Sequence, residues 1–101
     1  EYAIAQCPGN IDSPTVLSAQ AANELLDISG IKASFVLTVY EGRIYLSARS
    51  IDEVNVQIIA EKLGGGGHIN SAGAQFDHTN MFDAIRKLKE TIDQMIEEGD
   101  I

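Results

Sequence analysis

Four consecutive glycines, Gly64 to Gly67, followed directly by His68, constrain this chain more than any other stretch. A single glycine after a helix cap already satisfies the terminal carbonyls, and each further one adds backbone entropy that folding must overcome. Either the run adopts backbone angles closed to other residues, or something approaches its backbone closely. A phosphate held by successive N–H groups ahead of a helical turn meets both conditions. His68 could add a hydrogen bond to a phosphate oxygen, and its charge state would respond to that neighbour. The competing account is a flexible linker with His68 solvated. The run is not a P-loop, since no Lys-Ser or Lys-Thr follows it, nor a dinucleotide fingerprint, since no strand precedes it. ATPase and NAD-dependent chemistry therefore lose support.

The flanking residues read as a small alternating chain. Tyr2 to Gln6 form a short apolar strand broken at Pro8-Gly9-Asn10. A helix follows, capped by Ser13 with Pro14 at its first position, carrying Leu17, Ala21, Leu25 and Ile28 at helical spacing and ending at Gly30. Ala33 to Tyr40 and Arg43 to Arg49 make a hairpin around Glu41-Gly42. Alternation in its second strand sets Ile44, Leu46 and Ala48 on a core face and Arg43, Tyr45, Ser47 and Arg49 on a polar one. A second helix, capped by Asn55 or Asp52, buries Val56, Ile59, Ala60 and Leu63 and stops at the glycines. His68 to Gly73 has room for about one helical turn, and Ala74 to Asp77 reads as a short strand. Asn80 and Asp83 resemble a capping box for a last helix whose buried stripe is Phe82, Ile85, Leu88, Ile92 and Met95, up to Gly99. The expectation is an α/β (α+β) fold in the order βαββαβα, a mixed sheet of about four to five strands with three main helices.

With 101 residues, 45% of them hydrophobic, the chain suffices for one domain with one core, spanning residues 1–101. Its single cysteine, Cys7, cannot form an internal disulfide and lacks a neighbouring base, so neither a disulfide scaffold nor a nucleophile is expected. The sequence lacks the several cysteine or histidine ligands of a structural zinc site, and His78 has no ligand spacing to His68. No apolar run approaches the roughly 20 residues that cross a bilayer, so no membrane contact by this segment is expected, and a reducing, intracellular setting fits best. The net charge of -8 disfavours extended polyanions. About half of that excess lies from Asp77 onward, which leaves room for a local anion site built from backbone N–H groups.

A second anion-binding candidate is Ser47-Ala48-Arg49-Ser50, which offers a guanidinium fork and two hydroxyls at a strand end. The plainer account pairs Arg49 with Asp52 or Glu53 at the surface. A helix of roughly 11 residues running back along the sheet would carry the glycines about 16 Å from Arg49, so convergence of the two segments is not assured. Tyr40 and Tyr45 could stack on a base, although hairpin aromatics more often pack.

At these residues the chain resembles a known family. Ser47-Ala48-Arg49-Ser50, Glu53-Val54-Asn55-Val56-Gln57, Gly64-Gly65-Gly66-Gly67-His68 and Ser71-Ala72-Gly73 look like the DHH-associated domain of DHH phosphoesterases, over nearly the whole chain. The similarity is greatest to the C-terminal domain of bacterial membrane-anchored cyclic di-AMP phosphodiesterases, so the chain is expected to be a C-terminal fragment of such a protein. One departure is Ser71-Ala72-Gly73, where many relatives carry two alanines.

The resemblance implies a mixed sheet that closes over a separate DHH domain, whose Asp and His residues bind two manganese ions and activate water. Those ligands are missing from this chain, so no catalytic residue, metal or cofactor is assigned to it and the fragment alone is expected to be inactive. By the same resemblance Ser47, Arg49, Gly64, Gly65, Gly66, Gly67 and His68 bind substrate, a cyclic dinucleotide or short nucleotide. The adjacent DHH domain of the same chain is the expected partner, a homodimer is left open, and the domain is placed on the cytoplasmic side of a membrane-anchored parent. Two alternatives stand beside this: an RNA or single-stranded nucleic-acid module of a related exonuclease or synthetase, which the charge argues against, and a structural or dimerisation domain with the glycines as hinge.

Overall fold

The computed structural model describes residues 2–7, 14–28, 30–52 and 54–99. Eight elements follow in order: β1 (Tyr2–Cys7), α1 (Pro14–Leu26), β2 (Ala33–Tyr40), β3 (Arg43–Ser50), α2 (Val56–Lys62), β4 (Gly66–His68), β5 (Ser71–Phe76) and α3 (Met81–Glu98). The strands form one sheet in the order β1-β2-β3-β5-β4. Among the described residues only β1 and β2 run parallel, joined by the α1 crossover, and the other pairings are antiparallel. The mixed sheet with three helices is the fold class expected from the sequence.

The pleat sorts the sheet into two faces. Phe35, Leu37, Leu46, Ala48, Ala72 and Phe76 point to one side, where they bury with Val56 and Ile59 of α2 and Leu88, Ile92 and Met95 of α3. On the other side lie Ser34, Val36 and Thr38, all fully buried, and α1 packs there over β2 and β3. The Ser34 hydroxyl donates to the Ala22 carbonyl at 2.6 Å, so this small polar contact sits dry between sheet and helix. Among the described residues the domain is thus three layers deep, with α1 the helix on one face and α2 and α3 on the other.

Local signals act as the sequence suggested at most element ends. Glu41 and Gly42 both take positive φ, 50° and 77°, as a two-residue turn matched to strand twist requires. Asn55 is the cap of α2, its Oδ1 accepting from the Ile58 N–H at 3.3 Å. Asn80 caps α3 by accepting from the Asp83 N–H at 2.8 Å, and Gly99 ends it at φ 82°. The Ser13 cap and the Leu17 and Cys7 side chains lie outside the described residues.

Three expectations require correction. His68 to Gly73 forms no helical turn, because Gly66–His68 and Ser71–Phe76 pair as a hairpin around Ile69-Asn70. The order is therefore βαββαββα, with glycine in a strand where no local propensity favours one. Phe82 is 76% exposed: the buried line of α3 runs through Ala84, Leu88, Ile92 and Met95, and two residues before Ala84 is roughly 200° round the axis. Ile28 is also exposed, because α1 tightens at its end into bonds from Asp27 N to Glu24 O and Ile28 N to Leu25 O, which turn Ile28 off the stripe.

Candidate functional site

Helix α2 has only seven residues and ends in a left-handed glycine. Gly64, at φ 89°, donates to Glu61 O, and Gly65 donates back to Ala60 O at 2.8 Å, the paired bonds of a Schellman end. The chain then reverses and β4 pairs with β5, which itself lies beside β3. This replaces the expected separation of about 16 Å with two strand spacings, roughly 9.6 Å. Arg49 and the glycines converge because the fold inserts a strand between them, not because the helix is short alone.

Register arranges the α1-bearing face into cross-strand rows. Tyr45 stands opposite Gln75, Ser47 opposite Gly73, and Arg49 opposite Ser71, and Arg43 forms an ion pair with Asp77 just past the end of β5. Strand β4 extends the last two rows, with Gly66 beyond Gly73 and His68 beyond Ser71. Helix α1 covers the β2–β3 part of this face, and the β3–β5–β4 part holds a cleft of about 610 Å³. Ligand clefts fall in that size range. Its lining includes Tyr45, Ser47, Arg49, all four glycines, Ser71 and Gln75. His68 is exposed on the same face by register but does not line the cleft.

The glycines divide by what the fold asks of them. A Cβ on Gly65 would overlap the Gly73 carbonyl and come within 2.6 Å of the Ala74 Cα. One on Gly67, where φ is 145°, would lie 2.5 Å from the Ala72 Cα. The close neighbour that the sequence called for at these two positions is therefore β5 itself. Gly66 differs: its φ lies outside the left-handed region, and a Cβ there would meet nothing within 4 Å. Folding has no evident need of glycine at position 66, yet the residue lines the cleft.

Arg49 is half-buried, and its Nη1 donates to the carbonyls of Ala48 at 2.8 Å and Ala72 at 3.4 Å. These bonds anchor one arm of the fork to the sheet, while Nε and Nη2 make no hydrogen bond among the described residues. Burial pushes the guanidinium pKa down from its ordinary value, which still leaves it a cation at neutral pH. Among the described residues the ion pairs are Arg43–Asp77, Arg86–Asp83 and Arg86–Glu90, and Asp52 pairs with nothing at Arg49. The surface ion pair offered as the plainer account of Arg49 is absent among those residues, and Glu53 lies outside them.

Ser47 is buried to 8% exposure on the cleft floor. Ser50, weighed beside it as a second hydroxyl, points elsewhere. It donates to Val54 O at 2.6 Å and accepts from the Asn70 amide at 2.8 Å. Asn70 also donates to Asp52 O at 3.2 Å, and Val56 N donates to Ile69 O, so the β4–β5 turn is tied to the loop before α2. Sequence reasoning missed both Asn70 and Gln75: Asn70 fell in a segment that read as a helical turn, and Gln75, although in the expected short strand, joins the cleft only once β5 is registered on β3. Tyr45, one of the two aromatics weighed for base stacking or packing, lines the cleft. Tyr40 does not, and its phenol pKa is raised by a hydrogen bond to Glu41.

A five-stranded β1-β2-β3-β5-β4 sheet carrying this glycine-rich hairpin defines a class. The chain belongs to the DHHA1 domain family, whose model matches residues 2–98. It is 44% identical over 98 residues to the cyclic-di-AMP phosphodiesterase GdpP of Geobacillus thermodenitrificans, covering 96% of this chain and 15% of that protein. The chain thus spans about a seventh of the length of that relative. Among solved structures, an exopolyphosphatase-related protein from Bacteroides fragilis superposes with a TM-score of 0.72 at 20% identity, over 89% of this chain and 29% of that one. The C-Ala domain of Aquifex aeolicus alanyl-tRNA synthetase gives 0.67 at 17% identity, over 87% of this chain and 88% of that one. Both of these likenesses are of fold.

Proposed function

We propose that this domain holds the substrate of a phosphodiesterase that hydrolyses cyclic di-AMP to linear pApA. One observation carries the reading: Arg49, with no carboxylate partner among the described residues, and Gly66, a glycine the fold does not require, line the same cleft. A phosphodiester seated there would take the free arm of the Arg49 fork and the Ser47 hydroxyl, with the bare Gly66 backbone allowing close approach. The 44% identity to a cyclic-di-AMP phosphodiesterase supports this choice of substrate. His68, exposed on the same face beside the cleft, would add a contact to the ligand from the sheet edge.

In this reading the reaction is divided between domains. An adjoining DHH domain would hold manganese, which would supply the activated water, and this domain would contribute binding and orientation of the scissile phosphate. The parent is anchored in the bacterial membrane with the domain on its cytoplasmic side. Among the described residues no helix is long and apolar enough to cross a bilayer.

Competition binding tests the proposal. Cyclic di-AMP or pApA should displace a labelled dinucleotide from the chain far better than a long single strand does. A steep salt dependence with no dinucleotide preference would overturn it in favour of a nucleic-acid module. The chain with added manganese should hydrolyse neither compound, and steady turnover would refute the division of labour.

A further inference from the structure

We infer that Gln75, held in one orientation by Asp77 and set beside Tyr45, is the base-reading residue of the cleft and selects a 6-amino purine over a 6-oxo purine. The inference rests on the phosphate groove and the adenine dinucleotide proposed above, and adds which side chain of the cleft reads the base. Gln75 and Tyr45 are direct cross-strand partners, and both line the cleft. Their row lies two residues along β3 from the Ser47–Gly73–Gly66 row, roughly 6.8 Å away. A ribose bridges that span, so a phosphate on the Ser47 row places its base on the Tyr45–Gln75 row.

Chemistry settles the polarity of the amide. Gln75 Nε2 lies 2.9 Å from Asp77 Oδ1. A carboxylate only accepts hydrogen bonds, so the amide nitrogen must face Asp77, and Oε1 takes the other end. Asp77 is in turn held by Arg43, whose Nε lies 3.5 Å from the same oxygen. The chain Arg43–Asp77–Gln75 therefore favours this amide orientation over the flipped one, which would set Oε1 against the carboxylate. Oε1, the end not engaged by Asp77, is an acceptor. Adenine offers it an N6 amino donor, whereas guanine presents an O6 acceptor at the same position and is repelled. Tyr45 provides the aromatic surface on which either base can rest, so it adds affinity and leaves the choice to Gln75.

The test is the affinity ratio of cyclic di-AMP to cyclic di-GMP, measured by calorimetry on the chain and three variants. Wild type should favour cyclic di-AMP by about tenfold or more, the usual yield of a hydrogen-bonded base contact. Gln75→Leu should bring the ratio close to one by weakening cyclic di-AMP. Asp77→Asn, which can donate as well as accept and so frees the amide to flip, should lower the ratio with smaller loss of affinity. Gln75 and Asp77 are both exposed, so thermal midpoints near wild type should accompany these changes. Arg49→Ala is the control for the underlying groove and should weaken both ligands equally. If Arg49→Ala does so while Gln75→Leu leaves the ratio unchanged, the base assignment is wrong and the phosphate groove stands. Failure of wild type to bind either ligand would overturn both.

Discussion

Replacing Gly65 and Gly66 separately with alanine should produce opposite outcomes, although the two are adjacent in a uniform run. At Gly65 the new methyl collides with the Gly73 carbonyl and with Ala74, both on the neighbouring strand. Neither backbone atom can swing aside as a flexible side chain would, so β4 must separate from β5. Overpacking against rigid atoms costs about 1–3 kcal/mol, and loss of the three-residue pairing adds to it. A value near 3 kcal/mol would lower the melting temperature by roughly 12–24 °C in a domain of this size. At Gly66 the methyl enters open space with a permitted φ. Alanine there restricts the unfolded chain and should be neutral or stabilising by about 0.4–1 kcal/mol.

Ligand affinity should behave the other way round at Gly66. The methyl projects from the β4 position that lines the cleft, so nucleotide binding should fall about tenfold or more, equivalent to at least ~1.4 kcal/mol. Urea denaturation read by circular dichroism gives the stability arm and calorimetric titration with pApA gives the binding arm. The reasoning is refuted if Gly66→Ala unfolds the domain as severely as Gly65→Ala, or if it leaves nucleotide affinity unchanged. The first result would mean that the run acts as one structural unit, and the second that Gly66 faces no ligand.

Three further predictions follow from the same structure. Leu88→Ala, which empties a fully buried site in the α2–α3 core, should cost about 2–5 kcal/mol in denaturant unfolding, whereas Phe82→Ala at its exposed position should stay within roughly 0.5 kcal/mol. Asn70→Ala removes the amide that bridges the β4–β5 turn to Ser50 and Asp52, and should cost about 1–3 kcal/mol with earlier hydrogen exchange in Gly66–His68 than in β3. Arg49→Lys keeps the charge but loses the planar fork, so nucleotide affinity should drop several-fold while the dependence on salt concentration stays close to wild type.

The helices and the central hairpin were legible in the chain because local rules control them. Asn55 and Asn80 cap where short polar side chains can reach a free N–H, Glu41-Gly42 turns where both residues must take positive φ, and Ile44, Leu46 and Ala48 alternate inward as a half-buried strand demands. Phe82 and Ile28 show the limit of the same reasoning. Each continues an apolar spacing, but exposure depends on where the sheet lies and on how the last helical turn closes.

The glycine run marks the boundary most clearly. Its composition alone determined that the backbone there must be approached closely or bent unusually, and both proved true. Only the tertiary structure decided by what: β5 presses on Gly65 and Gly67, the end of α2 needs Gly64, and Gly66 lines the cleft with open space where a Cβ would stand. The same pairing brings Arg49, Ser47 and Gln75 to one cleft from positions up to 28 residues apart in the chain. Strand pairing of this kind is nonlocal, since register is set by which hydrophobic faces must be buried together and not by the propensity of either segment. A strand of glycines carries almost no local signal for that choice, and its place follows from the partner it meets.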